Sequence, residues 1–182
     1  YFIINPGKAW DVIHRENRPM KYVRGSFFMP LILLVTVSAF VGSMFLTNTT
    51  LKPMYSVLVA VATFLELYLA VYVSAMALRE IMKALDQGHD FVTAFKLIAY
   101  SFSPVYVVLI VSRLFESLLF INVLGLYSIY LFWTGMEIMV NPPEHKKIPM
   151  VIATAVVTLA VLLLLQVLLS RLAASVYFAI FA

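Results

Sequence analysis

Asp90-Phe91-Val92-Thr93-Ala94-Phe95-Lys96-Leu97-Ile98-Ala99-Tyr100-Ser101-Phe102-Ser103-Pro104-Val105-Tyr106-Val107-Val108-Leu109-Ile110-Val111 is the stretch that decides the fold. It leaves a polar loop and becomes an apolar helix. Asp90 is placed to cap that helix, because its carboxylate can accept from the first free backbone N–H groups. Pro104 lies near the helix middle and has no N–H, so it frees the carbonyl one turn earlier, at Tyr100. An apolar run of this length, with a single lysine near its start, has the dimensions of a membrane span.

Composition supports lipid as the solvent for the whole chain. Of its 182 residues 63% are hydrophobic and 12% charged, with a mean hydropathy of +0.98. Soluble domains run at about 45–50% and about 25%. There is no cysteine, which excludes disulfides, thiolate zinc sites and a cysteine nucleophile. The chain has no Gly-x-Ser-x-Gly, no phosphate-cradling glycine loop and no His-Glu-x-x-His helix. A non-enzymatic protein without cofactor or nucleic-acid module is therefore expected. No signal peptide is expected either, since the first apolar run begins near Phe27, behind a long charged segment.

Outward from the third span, the pattern predicts an all-α, polytopic membrane protein: one membrane domain over 1–182, five transmembrane helices in a compact bundle, and a short amphipathic N-terminal helix. That helix covers 5–18, with Asn5 as cap, Pro6 at its first position and Pro19 ending it. Its apolar edge (Ile3, Ile4, Trp10, Ile13) and its basic residues suit either a helix lying among anionic lipid headgroups or one packed on the domain. The spans are predicted at about 27–46, 54–78, 95–115, 121–140 and 149–169. Polar connections lie at Thr47–Pro53, Arg79–Lys96 and Asn141–Lys147, and Arg113, Glu116 and Asn122 mark a turn. The tail Leu172–Ala182 either extends the last helix or folds onto the surface. Counted on alternating sides, Lys and Arg fall ten against three. The positive-inside rule then puts the N-terminus in the cytoplasm and the C-terminus outside.

Polar residues inside spans are the candidate site. Glu66 lies halfway along the second span, where an acidic side chain costs roughly 2.5–3.5 kcal/mol. Ser56, Ala60, Thr63, Ala70, Ser74 and Ala77 make a small-residue stripe beside it. Glu66 is either a proton or cation site, or a protonated carboxyl that fixes helix packing. Tyr127, Tyr130, Thr134 and Glu137 form a second stripe, set at the interface or lining a cavity shared with Glu66. Ser101 and Ser103 would face that cavity beside the freed Tyr100 carbonyl. A broken backbone next to hydroxyls is found in transporter sites and in ordinary packing kinks alike. Arg113 and Glu116, three apart, are expected to pair near the outer surface. Ser38, Gly42 and Gln166 read as helix contacts. His14, His89 and His145 lack metal-ligand spacing and read as solvated.

Several pieces carry a resemblance. They are Asn5-Pro6-Gly7-Lys8-Ala9-Trp10, the Gly88 loop feeding Ala99-Tyr100-Ser101-Phe102-Ser103-Pro104, then Leu126-Tyr127-Ser128-Ile129-Tyr130-Leu131 with Trp133-Thr134-Gly135, and a Pro-Lys loop before the last span. In order and spacing the chain resembles the Ypt-interacting-protein (Yip) family, in particular its prokaryotic branch. The resemblance implies a five-helix membrane domain with a cytoplasmic N-terminus, in a bacterial inner membrane. Eukaryotic members are associated with Rab-type GTPases and vesicle traffic. This chain lacks their Asp-Leu-Tyr-Gly-Pro motif and long N-terminal region, which points away from that role. The expectation is a scaffold, adaptor or membrane-organising protein with a protein partner at its cytoplasmic face. The alternative is a small transporter or ion- or proton-conducting protein using Glu66, in which homo-oligomerisation would supply a second half.

Overall fold

The computed structural model describes residues 5–46, 53–88 and 90–181, and within them all regular structure is helical. Helix α1 (Pro6–Glu16) begins as its sequence requires: the Asn5 side chain accepts from the Lys8 N–H, and Pro6 occupies the first turn. It ends at Asn17, which takes the left-handed conformation (φ 36°) and returns its N–H to the Ile13 carbonyl.

The spans are longer than hydropathy alone indicates, because flanking polar residues continue the helices. Helix α2 runs Met20–Phe45 and contains a π-helical turn at Arg24–Phe28. Helix α3 runs Pro53–Ala84. Of the turn predicted at Thr47–Pro53, residues 47–52 lie outside the described residues, as do Ile3 and Ile4, and Pro53 opens α3. Helices α4 (Phe91–Ser101) and α5 (Ser103–Leu114) are bent by 43° at Phe102. Phe115, in extended conformation, reverses the chain. A 3-10 helix follows (Glu116–Leu126), interrupted at Leu118, and then α6 (Tyr127–Met139). Helix α7 runs Glu144–Phe181, so the apolar tail extends the last helix rather than folding onto the surface.

Three of these helices, α2, α3 and α7, are long and apolar enough to cross a membrane, and α4 with α5 makes a fourth if the bent pair is one span. This differs from the five predicted. The fourth predicted span divides into the 3-10 helix and the 13-residue α6. At about 1.5 Å per residue α6 alone covers about 20 Å, short of a hydrocarbon core of about 30 Å. Helix α7 packs along α3, with Tyr55 and Tyr177 in edge contact at 5.3 Å, so the two run antiparallel. Its other face, including Leu163, Leu164, Val167 and Leu168, is exposed in the lone chain.

Helix α1 is packed on the domain. Trp10 is fully buried, and its indole N–H donates to the Leu131 carbonyl at 3.0 Å. Gly135 makes this approach geometrically available, because a β-carbon there would overlap the Trp10 ring. Within α6, the Gly135 N–H bonds the same Leu131 carbonyl in the ordinary helical pattern, so tryptophan takes the second lone pair. Tyr100 closes the other side of the indole, edge-on at 6.0 Å.

Further ties gather at the same end. Lys96, a residue only 3% exposed, donates from its ammonium to Asn17 Oδ1 at 2.9 Å and so joins α4 to the end of α1. Lys146 donates to the Leu85 carbonyl at 2.6 Å, joining α7 to the end of α3. Lys147 pairs with Glu137 and lies 4.8 Å from the Trp133 ring centre, joining α7 to α6. At the start of α4, Asp90 accepts from the N–H groups of Val92 (3.2 Å) and Thr93 (3.0 Å) and from the Thr93 hydroxyl (2.9 Å). Partial burial pushes the Asp90 carboxyl up. Those hydrogen bonds and the Lys96 charge outweigh it, and the net shift is downward.

Two outcomes follow from this packing. Trp10→Ala lowers stability by about 3–5 kcal/mol, the cost of emptying a buried aromatic site, and Gly135→Leu releases α1; faster tryptic cleavage after Lys8 and Arg15 reads both. Asp90→Ala costs about 0.5–2 kcal/mol at neutral pH. Because the folded-state value is depressed, the cap's contribution is complete above the ordinary value of 3.8 and is lost as pH falls through the folded-state value. Melting curves of variant and wild type therefore converge in acid.

Candidate functional site

The site starts from a glycine. A β-carbon on Gly42 would overlap the Arg113 backbone carbonyl, so the end of α2 touches the end of α5 as only glycine permits. The Ser43 hydroxyl donates to Ser56 at 3.0 Å and brings α3 into the same junction. The Arg113 guanidinium turns inward and meets the Glu66 carboxylate at 3.5 Å, with the side chains 31% and 13% exposed. Each charge neutralises the other where neither could remain alone. The expected partner of Arg113, Glu116, has a side chain outside the described residues.

The pair opens into a cavity of about 740 Å³ walled by all the helices except α1. Most of its wall is apolar, with Val105, Leu109, Leu159, Leu162 and Phe132 contributing. Hydroxyl and amide groups punctuate it: Ser101, Ser112, Ser128, Thr154, Thr158, Asn122 and Gln166. Ser101 and Ser128 present buried hydroxyls with no hydrogen-bond partner in the described structure. Helix α7 lines the cavity on one side and packs mainly on α3.

Of the candidate-site residues read from sequence, Glu66 and Ser101 line this cavity, and Tyr100, Ser103, Tyr127, Tyr130, Thr134 and Glu137 do not. Tyr100 faces the α1 end, packed on Phe27 (4.5 Å) and Trp10. The Ser103 hydroxyl donates to the Tyr100 carbonyl, the one that Pro104 leaves without its helical donor. The proline break is thus satisfied by its neighbouring serine, and neither group is offered to the cavity. The stripe on α6, read as either interfacial or cavity-lining, does not line this cavity. Tyr127 and Tyr130 are in tilted ring contact at 5.4 Å, Thr134 donates to the Tyr130 carbonyl at 3.1 Å, and Glu137 accepts from the Trp133 indole at 2.9 Å and pairs with Lys147. The inward face of α6 is instead Ser128, Leu131, Phe132, Gly135 and Met136.

Sequence reading missed Arg113, Ser128, Thr154 and Thr158 as cavity groups and took Gln166 for a helix contact. A signal existed for the last three: Thr154, Thr158, Leu162 and Gln166 recur every fourth residue along α7 and share one face. Among the described residues no group of three His, Asp or Glu could hold a metal ion, and His14 and His145 are exposed; His89 lies outside them. The cavity therefore offers an ion pair with hydroxyls and amides, which is equipment for binding a polar group or relaying a proton.

Removing one partner of the pair leaves an unpaired charge. Glu66→Met or Arg113→Met alone lowers stability by about 2–4 kcal/mol, somewhat under the value for fully enclosed pairs because Arg113 keeps some exposure. The double Met variant comes out more stable than either single. Thermal unfolding of the four purified proteins in one detergent measures this as a double-mutant cycle.

No curated protein sequence and no solved structure matches the chain. The Yip1 domain matches residues 1–165. An all-helical chain with apolar helices of membrane-spanning length, matched over nearly its whole length, is an integral membrane protein that belongs to the Yip1 domain family.

Proposed function

We propose that this protein crosses a bacterial inner membrane five times, with its N-terminus in the cytoplasm and its C-terminus outside, and works as a non-enzymatic scaffold, adaptor or membrane-organising protein through its cytoplasmic face. The 3-10 helix and α6 rise about 20 Å each, which end to end suffices for the additional span. The single observation that carries the reading is the latched α1. Trp10 fixes this helix at the end to which Lys96, Lys146 and Lys147 also tie their segments, and it presents Lys8, Asp11, His14 and Arg15 outward. A helix held so firmly with a charged outer face is a platform for a protein partner. Its basic residues also attract anionic headgroups, at roughly 1 kcal/mol each. The resemblance to prokaryotic members supports the inner-membrane setting.

A second reading, a small transporter or an ion or proton conductor, is favoured by the Glu66–Arg113 pair inside the cavity. A homo-oligomer would fit it, since the exposed face of α7 leaves room for a second copy.

A photo-crosslinker placed at Asp11 or Arg15 in native membranes yields a discrete protein adduct, which Gly135→Leu abolishes and which a probe at exposed Met54, at the opposite end, does not give. Identical adducts from both ends, or none from either, would sink the platform reading. Flux through liposomes that Glu66→Gln removes would move the second reading ahead.

A further inference from the structure

We propose that the cavity is a binding site for a single-chain zwitterionic amphiphile, a lipid with one acyl chain, a phosphate and a primary amine. The proposal does not depend on the platform reading. Its first support is the pairing of opposite charges on one wall, Glu66 and Arg113 at 3.5 Å. A ligand carrying only an anion would meet Glu66, and one carrying only a cation would meet Arg113, each desolvated against a like charge. A head with both signs matches both. A primary amine brings three N–H donors to the carboxylate, and the planar guanidinium fork suits a phosphate.

The second support is independent of charge. Ser101, which is 3% exposed, and Ser128 line the same space, and their hydroxyls are buried with no partner in the described structure. Buried hydroxyls are normally satisfied. A change of χ1 rotamer would turn either hydroxyl into the cavity, where an ester carbonyl between head and chain would accept from it.

Size then selects the number of chains. About 740 Å³ falls within the range of small-molecule sites. At about 30 Å³ per water-sized group it accommodates roughly 25 such groups, which suits one chain with a compact head and is too few for two chains. Leu159 and Leu162 give the chain an apolar wall to lie on, and Leu159 is exposed on the helix that also faces outward.

The test uses purified full chain in a non-ionic detergent, with native mass spectrometry and thermal melting. The probes are lysophosphatidylethanolamine, lysophosphatidylglycerol (the same chain and phosphate without the amine) and free phosphoethanolamine. The expected result is a one-to-one adduct and a raised melting temperature with lysophosphatidylethanolamine, at least tenfold tighter than with either other probe. Glu66→Gln and Arg113→Gln each lose at least tenfold. Ala155→Trp fills the cavity while leaving the ion pair in place, so it keeps its own melting transition but loses the adduct. Equal binding of both lysolipids, free phosphoethanolamine binding as tightly as the lysolipid, or Ala155→Trp binding as wild type would each overturn the proposal. These readings are equilibrium binding, so they stand or fall apart from any crosslinked partner or any flux.

Discussion

A carboxylate halfway along a membrane helix is the constraint around which one half of this structure is built. Glu66 cannot stay charged in hydrocarbon without a partner. Arg113 becomes that partner because α5 ends against a residue of α2 that has no side chain, Gly42. The close crossing and the ion pair therefore depend on each other. The same desolvation argument accounts for the hydroxyls and amides that line the space around the pair, where a purely apolar wall would leave both charges unsolvated.

The other half obeys the corresponding rule for the backbone, whose polar groups find no water in lipid. Pro104 removes one helical donor, and the Ser103 hydroxyl supplies it to Tyr100. The resulting bend of 43° carries α5 toward Gly42 and Glu66. At the α1 end the logic is additive. The Leu131 carbonyl already serves α6 and accepts a second donor from Trp10, which converts an N-terminal amphipathic helix into a fixed part of the domain. The buried Lys96 ammonium and the left-handed Asn17 solve two problems with one contact, ending α1 and satisfying a charge.

These two halves separate the functional readings. The α1 end is cross-tied by side chains from distant segments and presents charged groups outward, as a docking surface requires. The cavity is loosely closed, mixed in polarity and retains unsatisfied hydroxyls, as a ligand site requires. The two proposals are compatible in one Yip1-family protein, because the proposed platform lies at one end of the bundle and the cavity lies among its helices.

The sequence by itself determined that the solvent is lipid, that the chain is helical and of this family, and where several elements begin: the caps at Asn5 and Asp90 and the break at Pro104 are local chemistry, legible from a few adjacent residues. It also identified Glu66, since a charge among apolar neighbours needs no third dimension to be noticed. Only the tertiary structure decided how the helices rotate. In a membrane helix the face toward lipid is as apolar as the face toward the core, so hydropathy does not distinguish them. Polarity then misleads: Tyr127, Tyr130, Thr134 and Glu137 satisfy themselves along α6 and against Lys147, while Ser128, one position along, faces the cavity. Arg113 was equally illegible, because its inward turn depends on a contact with Gly42, 71 positions away in the chain. Hydropathy sums neighbours in sequence. Charge pairing, close crossings and cavities are set by neighbours in space.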